Sequence, residues 1–244
     1  MIRSIYERRC VRMRRSALPE ETLDGTDEPS VEWADDPEEI KKARSLVYRE
    51  YLKMGYVRDS EMVSSIADDR HPNADSLVVK SGAEIIATLS MVMDSDLFGL
   101  PMDTLYRNEL NALRAQGLRI VELSSLAASE RHPAGKFLMP LFRAVYWRAA
   151  LKSVDNLCIM VNPRHVLFYK TVFLFEDLGP ERFYPKVQAP AVALTACVHG
   201  YRERLYNAYR GADSTADLHR YFFNPMKNAM GALLGMPPQL QVRI

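Results

Sequence analysis

A single carboxylate stands inside an apolar run at Arg119-Ile-Val-Glu122-Leu-Ser-Ser-Leu126-Ala-Ala. Strand alternation puts Ile120, Glu122 and Ser124 on one face and Val121 with Leu123 on the other. Ser124-Ser125-Leu126 then breaks the phase, as a β-bulge does. Burying an ionised carboxylate is unfavourable unless it is paired or put to use. Desolvation also lifts its pKa toward the range of a useful general base. The structural alternative is an ion pair with Arg44 or Arg119. A second stretch, Asn156-Leu-Cys-Ile-Met-Val161, reads as a buried strand, and Asn162-Pro163 stops it and opens a helix. His165, Phe168 and Tyr169 recur there at helical spacing, which delivers the Tyr169 hydroxyl near the C-terminal end of that strand. Core packing is the plainer reading of Phe168 and Tyr169. A third stretch, Glu130-Arg131-His-Pro-Ala-Gly135-Lys136, separates the carboxylate strand from a helix predicted over Phe137 to Leu151. A helix N-terminus beside a small residue suits an anion such as a phosphate.

The elements that must position these groups follow from periodicity. Val31-Glu-Trp33 reads as a short strand. Asp36-Pro37-Glu-Glu then starts a helix whose apolar stripe is Ala43, Leu46, Val47 and Tyr51. A polar loop is expected over roughly 58 to 75. Ser76 to Val79 and Glu84 to Met93 form a hairpin about Ser81-Gly82. Leu100-Pro101 opens a helix that stops at Gln116-Gly117. After the Asn-Pro motif come a strand near Leu174 and a last strand, Ala191 to Val198. Beyond it, Tyr201, Leu205 and Tyr209 share one helical face, and Leu218 to Leu234 is broken at Asn224-Pro225. The order β, α, β, β, α, β, α, β, α, β, β implies an α/β fold of three layers around a mixed sheet. We divide the chain into a charged arm (1–30), one α/β domain (31–199) and a C-terminal helical extension (200–244).

The apolar fraction of 48% and charged fraction of 26% are those of a soluble globular protein, and a net charge of +1 gives no global field for nucleic acid. Charge is nevertheless blocked: residues 1–15 hold six Arg, and residues 16–40 hold ten Asp and Glu with no Lys or Arg. Such blocks are usually solvated; contact of the Arg-rich arm with anionic membrane is a second reading. Cys158 and Cys197 sit in apolar runs and read as buried thiols, not as a disulfide. No run reaches the ~20 apolar residues of a membrane span, nor does a secretory-type apolar segment follow the basic arm, so the expected location is cytoplasmic.

The strand, Asn162-Pro163, helix with Phe168-Tyr169 and return strand resemble the last motif of the GNAT N-acyltransferases. The element order from about 31 to 198 is similar to that topology, with its central mixed, mostly antiparallel sheet flanked by helices. A wider pattern is more specific. It runs through Ala43-Arg44-x-x-Val47-Tyr48, Asp69-x-His71-Pro-Asn, Ala87-Thr88-Leu-Ser90, Asp94-Ser95, Leu100-Pro101, Glu109-Leu-x-x-Leu-Arg114, Val121-Glu122-Leu-Ser-x-Leu126, Asn162-Pro-x-His165-x-x-Phe168-Tyr169, Leu178-Gly179 and Ala189-Pro190-Ala191. Together these resemble the long-chain N-acyl amino acid synthases of the N-acyl-tyrosine type, related to the acyl-homoserine-lactone synthases.

That resemblance implies transfer of a fatty acyl group from an acyl carrier protein to the amine of an amino acid such as tyrosine. Glu122 would accept the amine proton, amides near Leu126 would stabilise the oxyanion, and Tyr169 would protonate the departing thiolate. Arg44 would hold the substrate carboxylate or be a plain surface arginine, with Tyr48, Ser124, Asn162, His165 and Phe168 as further substrate contacts. Ala127, Ala128, Arg131, Gly135 and Lys136 would hold the pantetheine. Arg131 opens a loop comparable with the GNAT phosphate loop but with the single Gly135, which leaves carrier-bound pantetheine and acyl-coenzyme A both open as co-substrate. No metal and no tightly bound cofactor is expected. Other readings are a lactone synthase, disfavoured by Ser125 and Thr88-Leu-Ser90 where that family carries Arg, a coenzyme-A-dependent acetyltransferase, and a catalytically silent acyl-carrier or ligand-binding module. Arg131, Lys136, Arg143, Arg148 and Lys152 are expected to face an acidic carrier protein. The oligomeric state is left open.

Overall fold

The computed structural model describes Met13 and residues 29–57, 71–131, 135–211 and 217–223, with backbone alone at Gly135 and Lys136. Nearly all of the expected N-terminal arm, most of the loop expected over 58–75 and the tail after Phe223 lie outside these residues. Seven strands form one sheet: β1 (Ser30–Ala34), β2 (Ala74–Ser81), β3 (Glu84–Met93), β4 (Ile120–Ala128), β5 (Asn156–Val161), β6 (Glu176–Tyr184) and β7 (Ala189–Cys197). Their spatial order is β1-β2-β3-β4-β5-β7-β6. Every neighbouring pair is antiparallel except β4 with β5. The helices are α1 (Pro37–Lys53), α2 (Asp103–Arg114), α3 (Gly135–Leu151), α4 (Pro163–Val172), α5 (Tyr201–Tyr209) and α6 (Leu218–Phe223). The observed order of strands and helices is the one read from the sequence.

Local chemistry accounts for several boundaries. Asp36 accepts the Glu38 amide at 3.1 Å, Pro37 occupies the first turn of α1, and Glu38 and Glu39 lie at the positive end of its dipole. The helix buries Ile40, Ala43 and Leu46. Asn162 caps α4 in the same way, accepting the Arg164 amide at 3.2 Å ahead of Pro163.

Strand alternation splits the core between the faces of the sheet. Leu77, Val79, Leu89, Met91, Val121, Leu123, Leu157 and Ile159 meet α3 and α4, and Tyr201, Leu205, Tyr209 and Phe222 of α5 and α6 extend that cluster. On the other face α1 covers Val78, Ile85 and Ala127, and α2 covers Val92, Ile120, Cys158 and Ala193. Each fully buried Leu or Phe contributes roughly 1.5–3 kcal/mol, so the larger cluster dominates stability.

Two irregularities shape the centre of the sheet. Thr88 pairs with Ala127 and Ser90 with Ser124, so Leu89 faces two residues of β4, and Ser125 takes φ 53°. That is the bulge the sequence predicts. In addition, β4 and β5 pair only from Ile120↔Asn156 to Leu123↔Ile159. Beyond this point β4 continues to Ala128 without β5 beside it, while β5 remains paired with β7 through Val161↔Val192. The two parallel strands therefore splay apart.

Three expectations need correction. Leu174 is not in a strand: it takes φ 55° just past α4, and β6 starts at Glu176 as a polar edge strand. Its anchor is tertiary, since the Tyr106 hydroxyl shares its one proton between the Pro180 and Ala191 carbonyls, at 2.9 and 2.7 Å, and Arg182 pairs with Glu109. Cys158 is buried, but Cys197 is exposed, because alternation at the end of β7 turns Ala196 inward and Cys197 out. Three of the five cations expected to meet a carrier protein are engaged within the fold. Arg143 is buried against the Tyr221 ring, Arg148 lies 4.3 Å over Trp33 and bonds Asp75, and Lys152 reaches Asp75 at 2.8 Å. Among the described residues, no helix is long and apolar enough to cross a membrane.

Candidate active site

Glu122 lies in the paired half of β4, opposite Val92 of β3 and Cys158 of β5, and is 1% exposed. Its side chain faces the start of α2, where the Met102 amide donates to Oε2 at 2.7 Å. The groups that act on its charge are the Met102 amide, Asp103 and Lys186, and not Arg44 or Arg119 of the ion-pair alternative. Burial lifts its pKa to about 8; the Asp103 charge adds to this, and the Met102 bond and Lys186 oppose it. The second carboxylate oxygen is left to take a proton near neutral pH.

The splay begins one residue further along β4. The Ser129 amide donates to the Ile86 carbonyl at 2.8 Å, which sets the phase of the β3–β4 ladder. By the alternation of antiparallel bonds, the Ala128 amide points the other way, toward the edge that β5 has left. Leu126 lies in the bulge just before it. Leu126 and Ala128 are half-buried and Ala127 is buried against α1. An open strand edge between two parallel strands offers unpaired N–H groups to a carbonyl oxygen, as an oxyanion hole requires.

Tyr169 is 9% exposed on α4, packed among Phe142, Phe173 and Phe175 with Phe168 edge-on at 5.6 Å. The Phe173 and Phe175 amides both donate to the Tyr169 carbonyl, at 3.1 and 3.3 Å, which fixes the end of the helix. Burial, with Tyr51 second, raises the phenol pKa and keeps the hydroxyl protonated. Among the described residues nothing hydrogen-bonds that hydroxyl.

Residues 42–197, more than half of the chain, match the FeeM family, N-acyl amino acid synthase. The chain belongs to the FeeM family of N-acyl amino acid synthases. The solved structure of FeeM, an N-acyl amino acid synthase from uncultured soil microbes, is 29% identical, with 73% of this chain covering 96% of that one at TM-score 0.64. A Lactobacillus plantarum structure described as an N-acetyltransferase is 11% identical over 70% of this chain and 99% of that one, at TM-score 0.51. The AHL synthase LasI aligns at 17% identity over 71% and 91% of the two chains, with TM-score 0.49. A search of curated proteins returned no match. The protein is an N-acyltransferase with a GNAT-like α/β fold.

In this FeeM-family chain the remaining expected residues differ in burial and engagement. Ser124 is half-buried opposite Ser90 on the Glu122 face, and Arg44 and Tyr48 are half-buried on α1. The Asn162 side chain is occupied by its capping bond. His165 is exposed and accepts a bond from Arg164 Nε at 3.0 Å, and what burial it has, then the Arg164 charge, lower its pKa. Arg131 is exposed at the end of β4; residues 132–134 and the Lys136 side chain lie outside the described residues, and Gly135 begins α3.

Beside Glu122 the chain also holds a group that sequence reading missed. Tyr51 closes the α1 stripe, and burial pushes its phenol up to about 12, followed by the fields of Tyr184, Tyr56 and Glu122. Tyr51 lies near enough to Tyr169 to disfavour its ionised form as well. The end of α1 is tied down on both sides of the splay. Lys53 reaches Glu130 at 2.8 Å, and Arg164 Nη2 donates to the Tyr56 hydroxyl at 3.4 Å. One signal was available: Tyr51 is the sole member of the apolar stripe with a polar tip.

Proposed function

We propose that this synthase transfers a long-chain fatty acyl group from the phosphopantetheine thioester of an acyl carrier protein to the α-amine of an amino acid of the tyrosine type. The observation that carries the reading is Glu122, a carboxylate buried in the sheet, bonded by one amide and holding its proton up to about pH 8. The amine nitrogen attacks the thioester carbon. The oxygen, now negative, is held by the β4 amides near Leu126 and Ala128, where donors fixed in advance are worth most. Glu122 removes the proton from the new C–N nitrogen. The C–S bond then breaks, and Tyr169 gives its proton to the thiolate. Amide and free thiol leave, and solvent returns a proton from Glu122 to Tyr169.

Family membership and the open edge of β4 support an acyl thioester as donor. In this reading Arg131 and the N-terminus of α3, with Ala127 and Ala128 leading into it, receive the pantetheine arm. Arg44 meets the acceptor carboxylate, and Tyr48, Ser124, His165 and Phe168 wall its pocket. The test is mass spectrometry of purified protein with palmitoyl carrier protein or palmitoyl-coenzyme A and the free amino acids. An N-acyl amino acid with release of thiol supports the reaction. Both thioesters surviving intact, or being hydrolysed without amide, contradicts it.

A further inference from the structure

A dense polar cluster adjoins the loop that bonds Glu122, and the reaction as described does not use it. Arg114, the last residue of α2, bonds two carboxylates together. Its Nε and Nη2 donate to Asp94 Oδ2 and Oδ1, both at 2.8 Å. Its Nη1 and Nη2 donate to Asp103 Oδ1 and Oδ2, both at 2.7 Å, and Nη1 also reaches Asn111 at 2.8 Å. Asp94 directly follows β3, and Asp103 is the first residue of α2, so one guanidinium grips both ends of the β3–α2 loop. Inside the loop Asp103 Oδ2 accepts the Leu100 amide at 2.7 Å. Gly99, at φ +62°, lies so close that a Cβ there would stand 2.7 Å from the same oxygen.

This loop carries the Met102 amide, the hydrogen-bond donor of Glu122. Met102 itself is fully buried and has no side-chain cap to hold the turn. Its carbonyl accepts the Leu105 and Tyr106 amides at 3.1 and 2.9 Å, and the ion cage holds the chain on either side of it. Bidentate Arg–carboxylate geometry resists rotation as well as separation, so it transmits position along a loop. We propose that Arg114, together with Asp94 and Asp103, acts as a positioning unit for acyl transfer, holding the Met102 amide on Glu122 and offsetting the Asp103 charge beside it. The inference rests on the reading of Glu122 as the base.

Every element packed on Glu122 contributes to its surroundings. From α2 come the Met102 amide and the Asp103 charge, from the turn before β7 the Lys186 charge, from α1 the Tyr51 phenol, and from β5 the Cys158 thiol. The thiol is pushed up to about 12 by burial and stays neutral. Asp103 is therefore the negative group whose strength Arg114 controls. Removing Arg114 frees that charge and loosens the amide, and both changes make Glu122 hold its proton more tightly. Removing the Asp103 charge alone has the opposite effect.

The opposed signs make the test. Glu122 is titrated by carbon-13 NMR in protein labelled at glutamate side-chain carboxyls, with the resonance assigned by its loss in Glu122→Gln. With unit charges this close in a partly desolvated site, Arg114→Met is expected to raise the Glu122 midpoint by about one pH unit, and Asp103→Asn to lower it by a similar amount. The double variant is expected to fall between the two. Turnover at pH 7.5 then drops about tenfold in Arg114→Met and recovers at alkaline pH. Shifts of the same sign, or no shift in either variant, would overturn the proposal and leave the cage a matter of stability. If Arg114→Met does not fold, Arg114→Lys, which keeps the charge but loses the paired bonds, is read in its place: a raised midpoint supports the cage, and an unmoved or lowered one refutes it. Because the titration needs no substrate, absence of N-acyl product counts against the proposed reaction, and an unmoved Glu122 resonance counts against the cage.

Discussion

Replacing Glu122 with Gln removes a titration, and the structure fixes the size and sign of the result. A free glutamate loses its proton near 4.5, whereas burial holds that of Glu122 until about pH 8. Between those values the folded protein binds a proton that the unfolded chain has released. Stability of the wild type therefore falls as pH rises through this window and levels off above it. At about 1.4 kcal/mol per pH unit, the loss amounts to roughly 4–5 kcal/mol. Gln keeps the shape of the protonated acid, and its carbonyl oxygen still accepts the Met102 amide, so the variant lacks this slope. Urea unfolding at pH 5 should find the two proteins within about 1 kcal/mol of each other. At pH 8.5 the variant should be the more stable by several kcal/mol, while turnover falls by about 10²-fold or more. A stability difference that stays constant between the two pH values would refute the account of Glu122 as a carboxyl that titrates late.

Other outcomes follow from the same geometry. Tyr169→Phe removes a hydroxyl without a hydrogen-bond partner among the described residues, so thermal unfolding should be nearly unchanged while the rate of thiol release falls about 10²-fold; an unchanged rate would assign Tyr169 to packing. Gly179→Ala would put a methyl 2.6 Å from the Tyr106 ring. The strain should lower stability by about 1–3 kcal/mol in urea titration, as overpacking does. Cys197, exposed, should react with a thiol reagent in the native protein, and Cys158, buried and held protonated, only on unfolding; the time course of labelling read by mass spectrometry separates them.

Much of the fold was legible because its signals are local. Asp36-Pro37 and Asn162-Pro163 cap helices by bonds two residues long, and Ser124-Ser125-Leu126 betrays its bulge by a phase error in one strand. Glu122 was legible for a different reason: a carboxylate inside an apolar strand is improbable without a use. What the sequence hid is made between distant segments. Arg148 and Lys152 look like a free basic surface until β2 brings Asp75 to them, and Arg143 until α6 brings Tyr221. The polar strand β6 shows no alternation because one of its edges is open and tertiary bonds from Tyr106 and Arg182 hold it. Tyr51 comes near Glu122 only because α1 packs on β4.

The central claim is that Glu122 takes a proton from the attacking amine. It is tested most directly by single-turnover N-acyl transfer in wild type and Glu122→Gln from pH 6 to 10. Dividing one rate by the other cancels the ionisation of the acceptor amine, which both share. The account predicts a ratio that climbs with pH, bends near 8 and is flat above it. A ratio near one at every pH would contradict it and leave Glu122 without a part in the chemistry.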